Sequence, residues 1–333
     1  MRLPIDGLRY DQIFTLKEED TDLKYGNYPN QRSIKEKINF GFILLDKPPG
    51  IRSRTAAVIT KNLLSSLNVK KIGYSGTLDP AVSGLLPLTL NRANKAISMF
   101  LMGGKEYIAL MHLHKDADET TINEKLNEFK GKIMQLPPVR SHVKRVLRER
   151  EVYYIDVLEI KGRDVLLRIG VESGTYIRKL IHDFGEKTGI GAHMAELRRT
   201  KVANLNEFDE YVSTLQDIED AMYYYKNENN ERFINFIIRN IEDVLTFLPK
   251  VWVSDSAVDT ICNGSPLAIP GVIKYNNFRK GDTIFISSLK NELIALGKAT
   301  MDSEDLTKFK KGIVVKTDSV IMEQGTYPKY HKN

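Results

Sequence analysis

The sequence predicts a mixed α+β protein, built on a mainly antiparallel central sheet flanked by helices, with a small β-barrel after it. Three observations carry this expectation. The stretches VYYIDVLEI and DVLLRIGVE flank a short KGR link, the pattern of a β-hairpin. Helical periods interrupt the strands irregularly, which argues against a doubly wound parallel sheet. Beyond Leu248-Pro249 come several short strands and the lone Trp252, the signature of a small barrel.

At 333 residues, 42% of them hydrophobic, the chain is long for a single domain. The expected division is an arm over 1–38, a larger domain over 39–248 and the barrel over 249–325. The arm is polar and punctuated, as in EEDTD and KYGNYPNQ, and suits a segment lying on other domains. In GFILLDKPPG the run Phe42 to Leu45 reads as a buried strand, turned sharply by Lys47-Pro48-Pro49-Gly50. Ala57, Val58, Leu64 and Leu67 follow a helical period. Tyr107, Ala109, Met111 and Leu113 alternate with Ile108, Leu110, His112 and His114, giving a strand with two distinct faces. Thr121-Ile-Asn-Glu124 has the form of a capping box, whose helix is expected to stop near Gly131. Ile177, Leu180, Ile181 and Phe184 recur at i, i+3, i+4 and i+7, so TYIRKLIHDFG is an amphipathic helix. The stretch 204–243 reads as helical, and a short helix around SAVDTICNG precedes the hairpin of IFISSLKNELIALGKA and a last strand, GIVVKTDSVIM.

Charge is unevenly spread. The chain carries 49 Lys and Arg against 43 Asp and Glu, a net +6, yet 204–243 alone carries net −7 and leaves +13 on the remainder. Such an excess suits a polyanion, nucleic acid first, although solvated lysine faces give the same sum. PPVRSHVKRVLRER concentrates Arg140, Lys144, Arg145, Arg148 and Arg150 against Glu149, a density that fits phosphate contacts or a wet surface. A single cysteine, Cys262, permits no intrachain disulfide and suits a reducing compartment. The opening MRLPIDGLRYDQ lacks a signal-peptide run, and no stretch approaches the ~20 apolar residues of a membrane span. A soluble intracellular protein is expected.

In GYSGTLDP an acid stands before a proline with no histidine or cysteine nearby. An Asp-Pro pair picked blind is a turn former. Gly73, Gly76 and Gly84, however, let this backbone approach a ligand closely, and a loop between a helix and an apolar run is where a site would sit. His112 and His114 share a strand face but lack a third ligand at useful spacing for zinc. No Walker A loop and no GxGxxG after a strand are present.

GYSGTLDPAVSGLLPL, KEYIALMHLH, LPPVRSHVKRVLRER and ESGTYIRKLIHDFG, in this order, resemble the motifs of the TruB/dyskerin branch of RNA pseudouridine synthases. The basic stretch and the opening KYGNYPNQRSIKEKINFGFILLDKPPG are closest to the archaeal box H/ACA ribonucleoprotein catalytic subunit. DSAVDTICNGSPLAIPGV and ELIALGKATM resemble a PUA domain. The resemblance implies an isomerase that converts uridine to pseudouridine in rRNA under a guide RNA, without a cofactor or metal. A guide-independent tRNA enzyme and a non-catalytic RNA-binding scaffold are the alternatives. Asp79 matches the catalytic aspartate, acting on C1′ or the C2′ proton and ionised in either role. Arg178 matches the arginine that pairs with it, and Tyr107 the aromatic that stacks on an everted base. Leu180 matches a pocket wall, a place plain core also explains, and Lys47 is expected to brace the loops. Arg140, Lys144, Arg145 and Arg148 would hold RNA, while Pro270, Gly271, Gly297 and Ala299 would dock the guide's ACA trinucleotide.

Two departures stand beside the RNA path. Tyr74, a pocket position, replaces the usual histidine, and Arg52-Ser53-Arg54 replaces Thr-Ser-His, keeping only the serine. Implied partners are guide and substrate RNA, two small box H/ACA proteins on the catalytic domain and a kink-turn-binding protein on the guide. The implied location is the cytoplasm for an archaeal-type chain and the nucleolus for a eukaryal one.

Overall fold

The computed structural model describes residues 2–137 and 144–329. Its larger sheet has eleven strands. The main path runs Val212–Ser213, Gly41–Lys47, Ser83–Leu90, Ala192–Val202, Lys105–Leu113, Asp164–Val171, Arg148–Lys161 and Gly131–Gln135. Neighbours are antiparallel except where Ser83–Leu90 meets Ala192–Val202 and Val212–Ser213 meets Gly41–Lys47. Both parallel contacts are short: Ser83 and Gly84 face Arg198 and Arg199.

The alternation read from sequence sets the faces of the central strand. Tyr107, Ala109, Met111 and Leu113 are buried while Ile108, Leu110 and His112 are half-buried. The predicted hairpin closes on Gly162-Arg163, with Lys161 opposite Asp164. Gly162 at φ 61° supplies the left-handed turn conformation. The helix Ile177–Thr188 buries Ile177, Leu180, Ile181 and Phe184, which join Leu78, Val82, Tyr107 and Phe129 in one core cluster. Gly189, at φ 71°, ends it.

A seven-stranded sheet follows in the order Phe14–Thr15, Val272–Tyr275, Lys250–Val253, Thr283–Ser287, Leu293–Ala299, Ile313–Val320 and Leu267–Ala268. The Ile269–Gly271 turn joins Leu267–Ala268 directly to Val272–Tyr275, so strands near opposite ends of that order are continuous in the chain. The helix Asp255–Cys262 buries Val258, Ile261 and Cys262 against this sheet, so the unit is not all-β. A further core cluster joins the two sheets: Phe285, Leu293, Leu296 and Ile321 pack with Phe42, Leu85, Phe100 and Phe247.

The N-terminal segment runs over both sheets. Phe14 pairs with Tyr275 in the smaller one, and Asn276 Nδ2 donates to the Tyr10 and Gln12 carbonyls. Buried Arg32 grips Glu242 through two hydrogen bonds of 3.1 and 2.9 Å.

Two expectations are corrected. The helix starting near 120 is capped by Asp118, whose carboxylate accepts from Thr121 N–H at 2.9 Å. It spans Glu119–Asn127 and ends before Gly131, which opens the next strand. An aspartate one turn upstream is as good a cap as threonine. The stretch 204–243 is only partly helical: the two-residue strands Leu205–Asn206 and Val212–Ser213 precede the helix Leu215–Asn227, and a third, Arg239–Asn240, stands between the helices Arg232–Ile237 and Ile241–Val244.

Candidate active site

The loop from Tyr74 to Val82 is pinned from below by three buried residues. Ser53, fully buried, accepts from Leu78 N–H at 2.8 Å and donates to Leu78 C=O at 3.0 Å. Lys47, also fully buried, donates to the Pro48, Ile51 and Pro80 carbonyls at 2.6, 2.8 and 3.4 Å. It does the bracing expected of it, and burial pulls its pKa below the usual lysine range. Arg199 donates to the Leu85, Ser75 and Gly76 carbonyls at 2.8, 3.4 and 2.9 Å. Only 1% of it is exposed, so desolvation lowers its pKa, while the Tyr107 hydroxyl beside it favours the charge.

Above this floor stands the predicted pair. Arg178 Nη2 lies 2.7 Å from Asp79 Oδ2, with the side chains 56% and 57% exposed. Asp79 comes from the loop and Arg178 from the first turn of the Ile177–Thr188 helix. An exposed ion pair contributes at most about 1 kcal/mol to folding. The pair therefore needs a reason other than stability.

Tyr107 is 8% exposed and Leu180 3% exposed, and both lie in the core cluster that contains Leu78 and Val82 from the Asp79 loop. Asp79 and Arg178 thus meet directly, and Tyr107 and Leu180 belong to the core on which the Asp79 loop rests through Leu78 and Val82. Tyr74 is half-buried and packs against a different cluster, with Ile43, Leu86 and Leu88. The arginines that depart from the family pattern, Arg52 and Arg54, are exposed, while Ser53 between them holds the loop.

Of the basic segment, Arg140 lies outside the described residues. Lys144 and Arg145 are exposed and Arg148 is half-buried. Arg148 and Arg150 line a cavity of about 170 Å³ with Gln135, Pro137, Gly174 and Tyr176. Gln135 accepts from Tyr176 N–H at 3.0 Å, which fixes the residue next to the Arg178 helix. In the smaller sheet, Gly297 and Ala299 sit on Leu293–Ala299, and Pro270 and Gly271 follow Leu267–Ala268. Ile313–Val320 runs between these two strands. A Cβ on Gly297 would lie 2.4 Å from the Lys316 carbonyl oxygen, so only glycine permits that approach. Pro270 is exposed, and its carbonyl accepts from Lys17 at 2.8 Å.

Sequence reasoning missed Arg199 and Lys105. Lys105, 4% exposed, donates to Ser173 Oγ at 2.8 Å, and burial with Arg199 nearby lowers its pKa to about 7. His112 bonds Asp164 at 2.7 Å and His114 bonds His193 at 3.0 Å. Among the described residues no group of three or more His, Cys, Asp or Glu is arranged to hold a metal, and no helix is long and apolar enough to cross a membrane.

A carboxylate on a glycine-rich loop, paired with an arginine over a buried tyrosine and leucine, is the constellation the pseudouridine synthase motifs imply. Comparison with known proteins covers nearly the whole chain. Residues 64–177 match the TruB family pseudouridylate synthase N-terminal domain, 178–246 the tRNA pseudouridylate synthase B C-terminal domain, 249–321 the PUA domain and 1–53 the DKCLD (NUC011) domain. The "Probable tRNA pseudouridine synthase B" of Thermococcus kodakarensis is 47% identical over 99% of this chain and 96% of its own. That of Pyrococcus abyssi is 46% identical over 98% and 97%. Two solved structures superpose with TM-score 0.90. One is an H/ACA RNP bound to a substrate RNA containing 2′-deoxyuridine, at 44% identity over 99% of this chain and 100% of that one. The other is a Cbf5-Nop10-Gar1 complex, at 46% identity over 98% of each. The chain belongs to the TruB family of pseudouridine synthases and carries a PUA domain.

Proposed function

We propose that the chain is the catalytic subunit of a box H/ACA ribonucleoprotein that isomerises guide-selected uridines in RNA. Its catalytic domain spans 39–248 and its PUA domain 249–325, with the arm 1–38 laid across both. The observation that carries this reading is the 2.7 Å Asp79–Arg178 pair, exposed above a buried floor in a chain that superposes over 98% of its length on a chain of a Cbf5-Nop10-Gar1 complex and over 99% on a chain of an H/ACA RNP.

The chemistry needs little. The C1′–N1 bond of an everted uridine breaks, C1′ joins C5, the C5 proton leaves and N1 takes up a proton, with no net oxidation or reduction. The Asp79 carboxylate acts on the sugar, Arg178 holds it in place, and Tyr107 with Leu180 bounds the base. Eversion costs a few kcal/mol, which base–aromatic stacking of ~1–3 kcal/mol offsets. Lys144, Arg145 and Arg148 take phosphates, with Arg140 in the same run. Pro270, Gly271, Gly297 and Ala299 take the guide's ACA end. Two small proteins of the Nop10 and Gar1 kind bind the catalytic domain, a kink-turn-binding protein joins through the guide, and the particle is cytoplasmic.

The relatives named probable tRNA pseudouridine synthase B favour a second reading, direct action on tRNA. Turnover on guide-assembled substrate against bare tRNA decides between them. The first reading expects product that disappears when the guide is omitted. Equal turnover on bare tRNA would move the assignment to the second.

A further inference from the structure

We propose that Lys105 is a positioning residue for the isomerisation, because its side chain reaches from the strand that carries Tyr107 to the segment that carries Arg178 and lies beside the loop that carries Asp79. The inference rests on the assignment of those three residues to the reaction. Lys105 opens the strand Lys105–Leu113, two residues before Tyr107 and on the same buried face. Its ammonium donates to Ser173 Oγ at 2.8 Å and reaches the Gly103 carbonyl at 3.4 Å. Ser173 lies in the turn leading to the Arg178 helix. On its other side the Lys105 stem backs the Asp79 loop, where a Cβ on Gly76 would stand 3.2 Å from Lys105 Cε and 2.9 Å from Arg199 Nη1.

Other ties at this junction are few. Ser75 and Thr175, buried hydroxyls of the same two segments, have no hydrogen-bond partner among the described residues. The direct polar link between the Asp79 loop and the Arg178 segment, among the described residues, is the exposed Asp79–Arg178 pair. Such a pair is too weak to fix its own geometry. Among the described residues Lys105 also has no carboxylate in salt-bridge range, so keeping its charge there opposes folding. The depression of its pKa to about 7 has the same origin. A buried cation retained at the wall of a site, at the expense of stability, is what a functional group looks like. Displacing a carboxylate from its target by about 1 Å can cost ~100-fold in rate, so a strut beneath three site segments acts on rate and leaves RNA affinity alone.

The test is single-turnover pseudouridine formation in the assembled, guide-loaded particle, with RNA affinity and unfolding midpoint measured on the same preparations. Lys105→Met, neutral and close in size, should slow the reaction at least tenfold while affinity stays within twofold and the midpoint does not fall. Ser173→Ala, which removes only the hydroxyl partner, should slow it about threefold or more. The double variant should be no slower than Lys105→Met, because both changes break one connection. A Lys105→Met rate within twofold of the parent overturns the inference, as do losses that multiply in the double variant. If Lys105→Met does not fold, an unchanged Ser173→Ala rate overturns it alone. Asp79→Ala run alongside separates the layers: its retained turnover would refute the parent reading, whereas an inert Asp79→Ala beside a fully active Lys105→Met refutes only the role of Lys105.

Discussion

Ser53 shows how one buried hydroxyl can fix the loop that carries Asp79. It satisfies both backbone groups of Leu78, the residue before Asp79. Ser53→Ala leaves a buried N–H and C=O unpaired, at about 1–3 kcal/mol. Urea unfolding should show that loss, and isomerisation should slow more than RNA binding weakens. Lys105 makes a pH-dependent prediction. Its folded pKa, about 7, lies below the usual lysine value, so between pH 7 and the unfolded value the unfolded chain binds a proton that the folded chain does not. Stability then rises with pH through that window, and the penalty is fully present below pH 7. Thermal melts of Lys105→Met and the parent should therefore differ more at pH 6.5 than at pH 9.5, with the variant ahead at the lower pH. Neither Lys105 nor Arg199 was legible as a buried group, because a charge in a strand reads as solvent-facing until the neighbouring strands are placed. Asp79 and Arg178 were legible only through motif resemblance; their 99-residue separation hides the pair from any local pattern.

Among elements, the short parallel contact between Ser83–Leu90 and Ala192–Val202 joins the Asp79 loop to the strand that brings Arg199 beneath it. Gly84 makes that contact possible. It has φ 101°, and a Cβ there would lie 2.2 Å from the Arg199 backbone oxygen. Gly84→Ala must therefore move one strand off the other; we expect a drop of several degrees in the unfolding midpoint and a loss of activity, read by calorimetry and turnover. The strand Lys105–Leu113 was readable because from Tyr107 onward one face is core and the other is not, and the Arg148–Val171 hairpin because the short link KGR joins two apolar runs. Ala192–Val202 was not, since its sequence AHMAELRRTKV is mostly polar and its burial comes from side-chain stems and from strands on both sides. The acidic 204–243 stretch misread as one helical run because two-residue strands leave no period to count.

For the whole molecule, the charge division seen in sequence has a structural counterpart. The acidic stretch supplies helices packed against the Gly41–Lys47 side of the larger sheet, including Glu242 in its buried grip on Arg32. The exposed Lys144 and Arg145 lie at the other end of that sheet, leading into Arg148–Lys161 beside the cavity before Tyr176. The two sheets share an apolar core, so the proposed RNA contacts on the PUA domain and the Asp79 loop are held in one frame. On the proposed reading one carboxylate, that of Asp79 set in this frame, performs the isomerisation. Release of tritium from 5-tritiated uridine by the assembled particle carrying Asp79→Asn tests it most directly. Asparagine keeps the shape and removes the charge, so parent-like RNA affinity with no release above background is expected, and release at the parent rate would overturn the assignment of Asp79.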